Sequence, residues 1–302
     1  SAIKEEALQT LATFIGLLTA IQSKLPVFSA LLENTDIHPT RKDFNIISAI
    51  IRKILDIPEL TPELLTTPLL NETLEEYRKV TEHGRKRDEI KAEIENGFTK
   101  EVLKINAGPM LAEWNRVSAQ WFLPRYFGQR KIKKVIRPYA LQPVKPETVQ
   151  PLLHQVIRYQ EELDFTDRYT AKLPSLFGRF GRDEEWPIID QIIHEVSSLH
   201  SLLLSYSKDV AKTSRIKQNL ALQLTEGIRT FRDIHSHSLN ELYQLVDTLT
   251  ATEQRLSTTL GITVETLYTN SADWIGIALQ QAGIWKENLD KLKDWYQWLQ
   301  SY

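Results

Sequence analysis

The chain reads as an all-α protein, an elongated multi-helix domain with long antiparallel, coiled-coil-like helices. Three observations lead there. Apolar residues recur at spacings of three and four rather than two, and no alternation long enough for a sheet is present. Glycine and proline number only 11 and 13 in 302 residues, and most gather at a few junctions. No proline follows Pro187, so nothing of that kind stops a long helix in the last third. A 42% hydrophobic content is enough for one large core or two smaller ones. We treat residues 1–302 as one helical region, with sub-parts 1–106, 107–187 and 188–302.

The elements follow in order. Ala7, Leu8, Leu11, Ile15, Leu18 and Ile21 line one side of a first helix, which Pro26 is expected to interrupt. Ile46, Ile47, Ile50, Ile51 and Ile54 mark a second, with Asp43 near its start, before a connection punctuated by Pro58, Pro62 and Pro68. A segment from about Asn71 to Lys104 has apolar ends but a middle, Thr81 to Glu89, that is polar all round. That pattern predicts a projecting arm, or a helix pair broken near Gly84. After Gly108-Pro109 comes an aromatic and basic segment whose helices must be short, because Pro124, Gly128 and Pro138 interrupt it. A helix from Val149 to about Arg168 and a turn-rich connector ending near Pro187 lead to the last third. There, 188–206, 216–231, 239–256 and 272–299 read as helices. Leu239, Leu242, Leu245, Leu249 and Leu256 form a stripe suited to an antiparallel neighbour, and the last helix carries Trp285 and Trp295 on its apolar side. No fixed-period repeat stands out.

Much chemistry is excluded. The absence of cysteine removes disulfides, thiolate metal sites and a cysteine nucleophile, and fits a cytoplasmic protein. A phosphate loop needs a glycine-rich turn followed by Lys and Ser or Thr, and none occurs. The Gly178 to Asp183 run reads as a plain loop. His194-Glu195 opens like a zinc-protease helix, but the second ligand position holds Ser198, and His200 is about 240° away around a helix. His235 and His237 lie two apart, on opposite sides if helical. No nucleophile elbow is found, and the acidic clusters fall on polar faces. The longest apolar stretch, Leu11 to Leu25, is broken by Thr13, Thr19, Gln22, Ser23 and Lys24, and is read as too short and polar to span a bilayer. We therefore expect no enzyme, no cofactor, no metal and no membrane contact for this chain.

The strongest signal is local. The net charge is -2, yet no acidic residue occurs from Arg116 to Pro146. Arg125, Arg130, Lys131, Lys133, Lys134 and Arg137 lie inside that run and are the candidate nucleic-acid-binding residues. Arg130, Lys133, Lys134 and Arg137 fall at helical spacing on one face, opposite Ile132, Val135 and Ile136. Arg85, Lys86 and Arg87 form a secondary candidate on the expected arm. Trp114 and Trp121 are seven apart and are expected to anchor one helix face in the core. The competing reading is a structural or protein-interaction module whose basic face is covered by acidic neighbours.

Trp114-Asn115, Trp121-Phe-Leu-Pro-Arg125, Gly128-x-Arg130, Arg137-Pro-Tyr139 and Leu176-Phe-Gly178 with Trp186 downstream resemble a helical region inside large bacterial superfamily-1 helicase-like proteins. These are multidomain ATPases, often carrying a restriction-type nuclease module and associated with defence against foreign DNA. The resemblance covers roughly Leu111 to Trp186; the flanking helices match only in helical character. It implies an insertion within a motor, with nucleic acid and the remaining motor and nuclease domains as partners. ATP and Mg would belong to the parent motor, since its ATP-binding lysine, magnesium-binding acid and arginine finger have no counterparts here. Ser1-Ala2, without an initiator methionine, reads as a cloning remnant ahead of a segment cut from a larger protein.

Overall fold

The computed structural model describes residues 2–32, 39–261, 263–268 and 270–300, so Ser1 lies outside the described residues. The fold is all-α. In chain order the described α-helices are α1 (Ala2–Leu32), α2 (Arg41–Asp56), α3 (Pro62–Thr66), α4 (Leu70–Glu95), α5 (Ala107–Ser118), α6 (Phe122–Ile136), α7 (Pro146–Thr170), α8 (Leu173–Arg182), α9 (Trp186–Tyr206), α10 (Val210–Gln223), α11 (Gly227–Leu260) and α12 (Trp274–Gln300). They form two compact units, which do not follow the three sequential sub-parts. One unit joins Ser1–Pro68 with His194–Tyr302, and the other is Leu69–Ile193.

The first unit is built on α11. Four members of its expected stripe, Leu239, Leu242, Leu249 and Leu256, are buried, while Leu245 is only half-buried and Val246 takes its place in the core. Lys24 bonds Glu241 at 2.6 Å and Arg255 bonds Glu6 at 3.0 Å, which sets α1 antiparallel to α11. Arg41 meets Glu253, and Arg52 lies over the Tyr243 ring, so α2 is antiparallel to α11 as well. Helix α2 starts on a capping box in which Thr40 and Asp43 satisfy each other's backbone N–H. Two expected breaks are absent. Helix α1 continues through Pro26, and α11 runs unbroken where a gap between 231 and 239 was expected. A 23-residue stretch of α1, Glu5–Val27, has the length and mean hydropathy, 1.2, of a membrane-crossing helix, longer than the sequence reading allowed. Its Ala7, Leu11, Phe14, Leu18 and Ile21 are buried within the unit, although only 28% of the apolar window is buried. Trp295, expected on a packed face, is 60% exposed.

The second unit is built on the antiparallel pair α4 and α7. Tyr77 meets Tyr169 edge-on, His83 bonds Glu162 and stacks on Phe165, and Gln155 donates to Glu93. The polar middle of α4 is therefore packed rather than a projecting arm, and Gly84 breaks nothing. A Cβ at Gly84 would lie 2.3 Å from Cε2 of the buried Trp186. Glycine is required there because the indole fills the notch. The Trp186 Nε1–H donates to Asp88 at 3.0 Å, and Arg87 sits over the ring while bonding Asp88 and Glu184. Of these polar residues Arg87 is buried, while Asp88 keeps about half of its side chain exposed. The Gly178 to Asp183 run is helical, not a loop, with a kink at Gly178 (φ 57, ψ −133). It folds back so tightly that a Cβ on Gly181 would sit 2.1 Å from the Leu173 carbonyl oxygen.

Candidate nucleic-acid interface

The acid-free run forms α6 and the turn after it. Pro124 does not shorten this helix, because it occupies the third position, where the N–H has no intrahelical acceptor. Ile132 and Ile136 are the inward anchors. They join Ile90, Ile94, Trp114, Val117, Val149 and Leu153 in one apolar cluster. Gly128 allows the close approach to α5, since a Cβ there would be 2.6 Å from Val117 Cγ1. Beyond the helix, Arg137–Tyr139 form a 3₁₀ turn. The Thr99 N–H donates to the Tyr139 carbonyl at 2.7 Å and the Leu141 N–H to the Gly97 carbonyl at 3.0 Å, which fixes the exit of the segment.

The outward face carries the cations. Arg125, Arg130, Lys131, Lys134 and Arg137 are exposed and Lys133 is half-buried. None of the six makes an ion pair with a described residue. Glu113, whose carboxylate feels the field of Lys131, is taken by Arg116 at 2.6 Å. Its pKa lies below the ordinary carboxylate range through that hydrogen bond first, with the field of Lys131 the smallest cause. Two details of the sequence reading change. Val135 is 50% exposed rather than packed, and Arg137 lies beyond the α-helix, in the 3₁₀ turn.

The larger correction concerns the aromatics. Trp114 is buried at 4% exposure, but Trp121 is 68% exposed and does not share its helix face. Helix α5 ends at Ser118 and Trp121 is the N-cap of α6, so the seven-residue spacing crosses a break. Phe122, Tyr126 and Phe127 are 75%, 52% and 62% exposed, with Leu123 at 48% beside them. Phe122 and Tyr126 are near-parallel, 23° apart with centroids 6.5 Å from each other. At about 100° per residue, these side chains and Arg130, Lys131 and Lys134 share one half of the helix, opposite Ile132 and Ile136. Aromatics fill the first turns of that face and cations the later ones. The signal for this was available: once Ile132 and Ile136 define the inside, the helical angle points 122, 123, 126 and 127 outward.

The second cluster differs in that its three cations are ion-paired. Arg87 is buried at 8% exposure and bonded to Asp88 and Glu184. Lys86 is paired with Glu82 at 2.9 Å, and Arg85 lies 3.7 Å from Asp190.

Other sites are weaker. An open cleft of about 500 Å³ in the first unit is lined by Asn45, Ser48, Arg52, Lys53, Tyr243 and Asp247, among others. Its cations are already paired, Lys53 with Glu195 and Arg52 with Asp56. No group of three or more His, Cys, Asp or Glu side chains that could hold a metal occurs among the described residues. His200 is half-buried with an Nδ1 that lacks a hydrogen-bond partner, and burial, then nearby Lys217, pulls its pKa down. Compared with known protein families, curated proteins and solved structures, the chain finds no match.

Proposed function

We propose that this chain is a non-catalytic helical module that engages nucleic acid through the outward face of α6, as an accessory insertion of a superfamily-1 helicase-like ATPase. One observation carries the reading: Arg125, Arg130, Lys131 and Lys134 of an acid-free run stand exposed on one helix with no ion-pair partner among the described residues. Such a surface attracts a polyanion by releasing its counterions, without selecting a sequence. The motor chemistry belongs to the parent, so this chain by itself neither turns over ATP nor requires Mg. Its work is to hold a strand near the motor, with the motor and nuclease domains as its protein partners.

Titration of labelled DNA at about 50 and 200 mM salt tests this. With roughly four phosphates neutralised, log affinity falls with log salt at a slope near −3 for single strands and near −3.6 for duplex. Charge reversal at Lys131 and Lys134 lowers affinity and flattens the slope. Binding that ignores salt, or that survives both reversals unchanged, refutes the reading.

A further inference from the structure

Resting on that reading, we infer that the exposed aromatic turns of α6 form a stacking platform, which makes the surface selective for single-stranded over duplex nucleic acid. Cations alone require only a polyanion. They do not account for Phe122, Tyr126 and Phe127, each more than half exposed at the start of the same face, nor for Trp121, exposed at the cap before it. Large aromatic rings held in water on one patch mark a contact surface. The rings are ordered against one another, with Phe122 near-parallel to Tyr126 and Tyr126 edge-on to Phe127 at 5.5 Å between centroids. A near-parallel pair is the start of a stack to which flat rings can be added.

The ligand follows from the chemistry of the two halves of the face. Bases of an unpaired strand present both π-faces, and a ring stacked on each is sequence-tolerant. Bases of a duplex are stacked on one another and show only their edges in the grooves, so the rings gain nothing from duplex. The cations on the same side begin three residues after Phe127 and span about one turn, roughly 6 Å along the axis from Arg130 to Lys134. A backbone that enters over the rings therefore leaves over Arg130, Lys131 and Lys134. The 15-residue helix is about 22 Å long, which suits a short strand of a few nucleotides. The seat is rigid, because Ile132, Ile136 and the Gly128–Val117 contact hold the opposite side of the helix in the core.

The test uses the intact chain with three probes: a labelled 12-nucleotide oligothymidine, a hairpin duplex of matched charge, and vesicles rich in phosphatidylserine. The unaltered chain should favour the single strand over the duplex by at least about tenfold. A Tyr126→Ala/Phe127→Ala variant should lose roughly 5- to 150-fold in single-strand affinity for each base unstacked. Its duplex affinity and its salt slope should stay as they were. Both side chains are on the surface, so circular dichroism should show the variant folded. Equal binding of strand and duplex, or an aromatic variant with an unchanged preference, overturns the platform while leaving the electrostatic reading intact. If neither nucleic acid binds, both readings are overturned. Vesicle binding lost with the aromatics, without strand preference, reassigns the patch to a membrane surface and also overturns the platform.

Discussion

Glu253→Ala should be among the most damaging single changes in the first unit. The Glu253 side chain is 3% exposed and that of Arg41 is fully buried. Arg41 donates Nε–H to Oε1 at 2.9 Å and Nη2–H to Oε2 at 2.7 Å, and the Tyr268 hydroxyl donates to Oε1 at 2.6 Å. The guanidinium also reaches Asn45 and Thr250 and lies 5.8 Å from the Trp274 ring centroid. Removing the carboxylate strands a buried cation, which costs about 3–5 kcal/mol. Because Asn45 and Thr250 still accept from Arg41, we place the loss near 3 kcal/mol. Replacing the set by apolar groups, Arg41→Met with Glu253→Leu and Tyr268→Phe, removes both buried charges and the buried phenol hydroxyl, leaving only the neutral Asn45 and Thr250 without their Arg41 donor. That variant should come back to within about 1 kcal/mol of the original chain. Urea unfolding gives the values. Hydrogen exchange at α2 and α11 amides assigns them to this unit, since two compact units make a single transition an unsafe assumption. A loss below about 1 kcal/mol for Glu253→Ala, or an apolar variant no better than the single one, would refute the reasoning.

Three further outcomes are expected. Gly84→Ala should destabilise the second unit by about 1–3 kcal/mol through overpacking on Trp186, although alanine is the better helix former. Gly16→Ala, where a Cβ meets nothing within 4 Å, should gain up to about 1 kcal/mol, and equal effects at the two sites would contradict the notch. Trp114→Ala should cost about 3–5 kcal/mol while Trp121→Ala stays within about 0.5 kcal/mol, so matching melting shifts would place both rings alike. His200 has a folded pKa below its ordinary 6.5, so the unfolded chain binds the proton more readily. Its contribution is fully present above pH 6.5 and is lost as pH falls from there through the lower folded value. His200→Leu should flatten the stability profile as pH falls below the ordinary 6.5, and an unchanged slope would exclude this group.

How far the site could be read in advance differs residue by residue. The cations were legible as an acid-free run with helical spacing, and Ile132 and Ile136 as its inward side. The aromatics were misplaced because the Trp114–Trp121 spacing was carried across the end of α5, where the helical angle no longer applies. Arg87 was grouped with exposed cations because a polar stretch reads as solvated. Its acceptors, Glu184 and the Trp186-bound Asp88, include a partner about a hundred residues downstream. No local pattern announces such a partner.

The all-α class and the rows of buried residues were decided by the sequence itself. A helix closes its hydrogen bonds four residues away, so periodicity and caps are local quantities. Which face meets which is not local. A leucine stripe on α11 says that something covers it, not that α1 and α2 do. The union of the first 68 residues with the last third, and the notch at Gly84 filled by Trp186, come from segments far apart in the chain. The same holds for α6. Its charge is written in its own residues, but the outward turn of its rings depends on the core that claims Ile132 and Ile136.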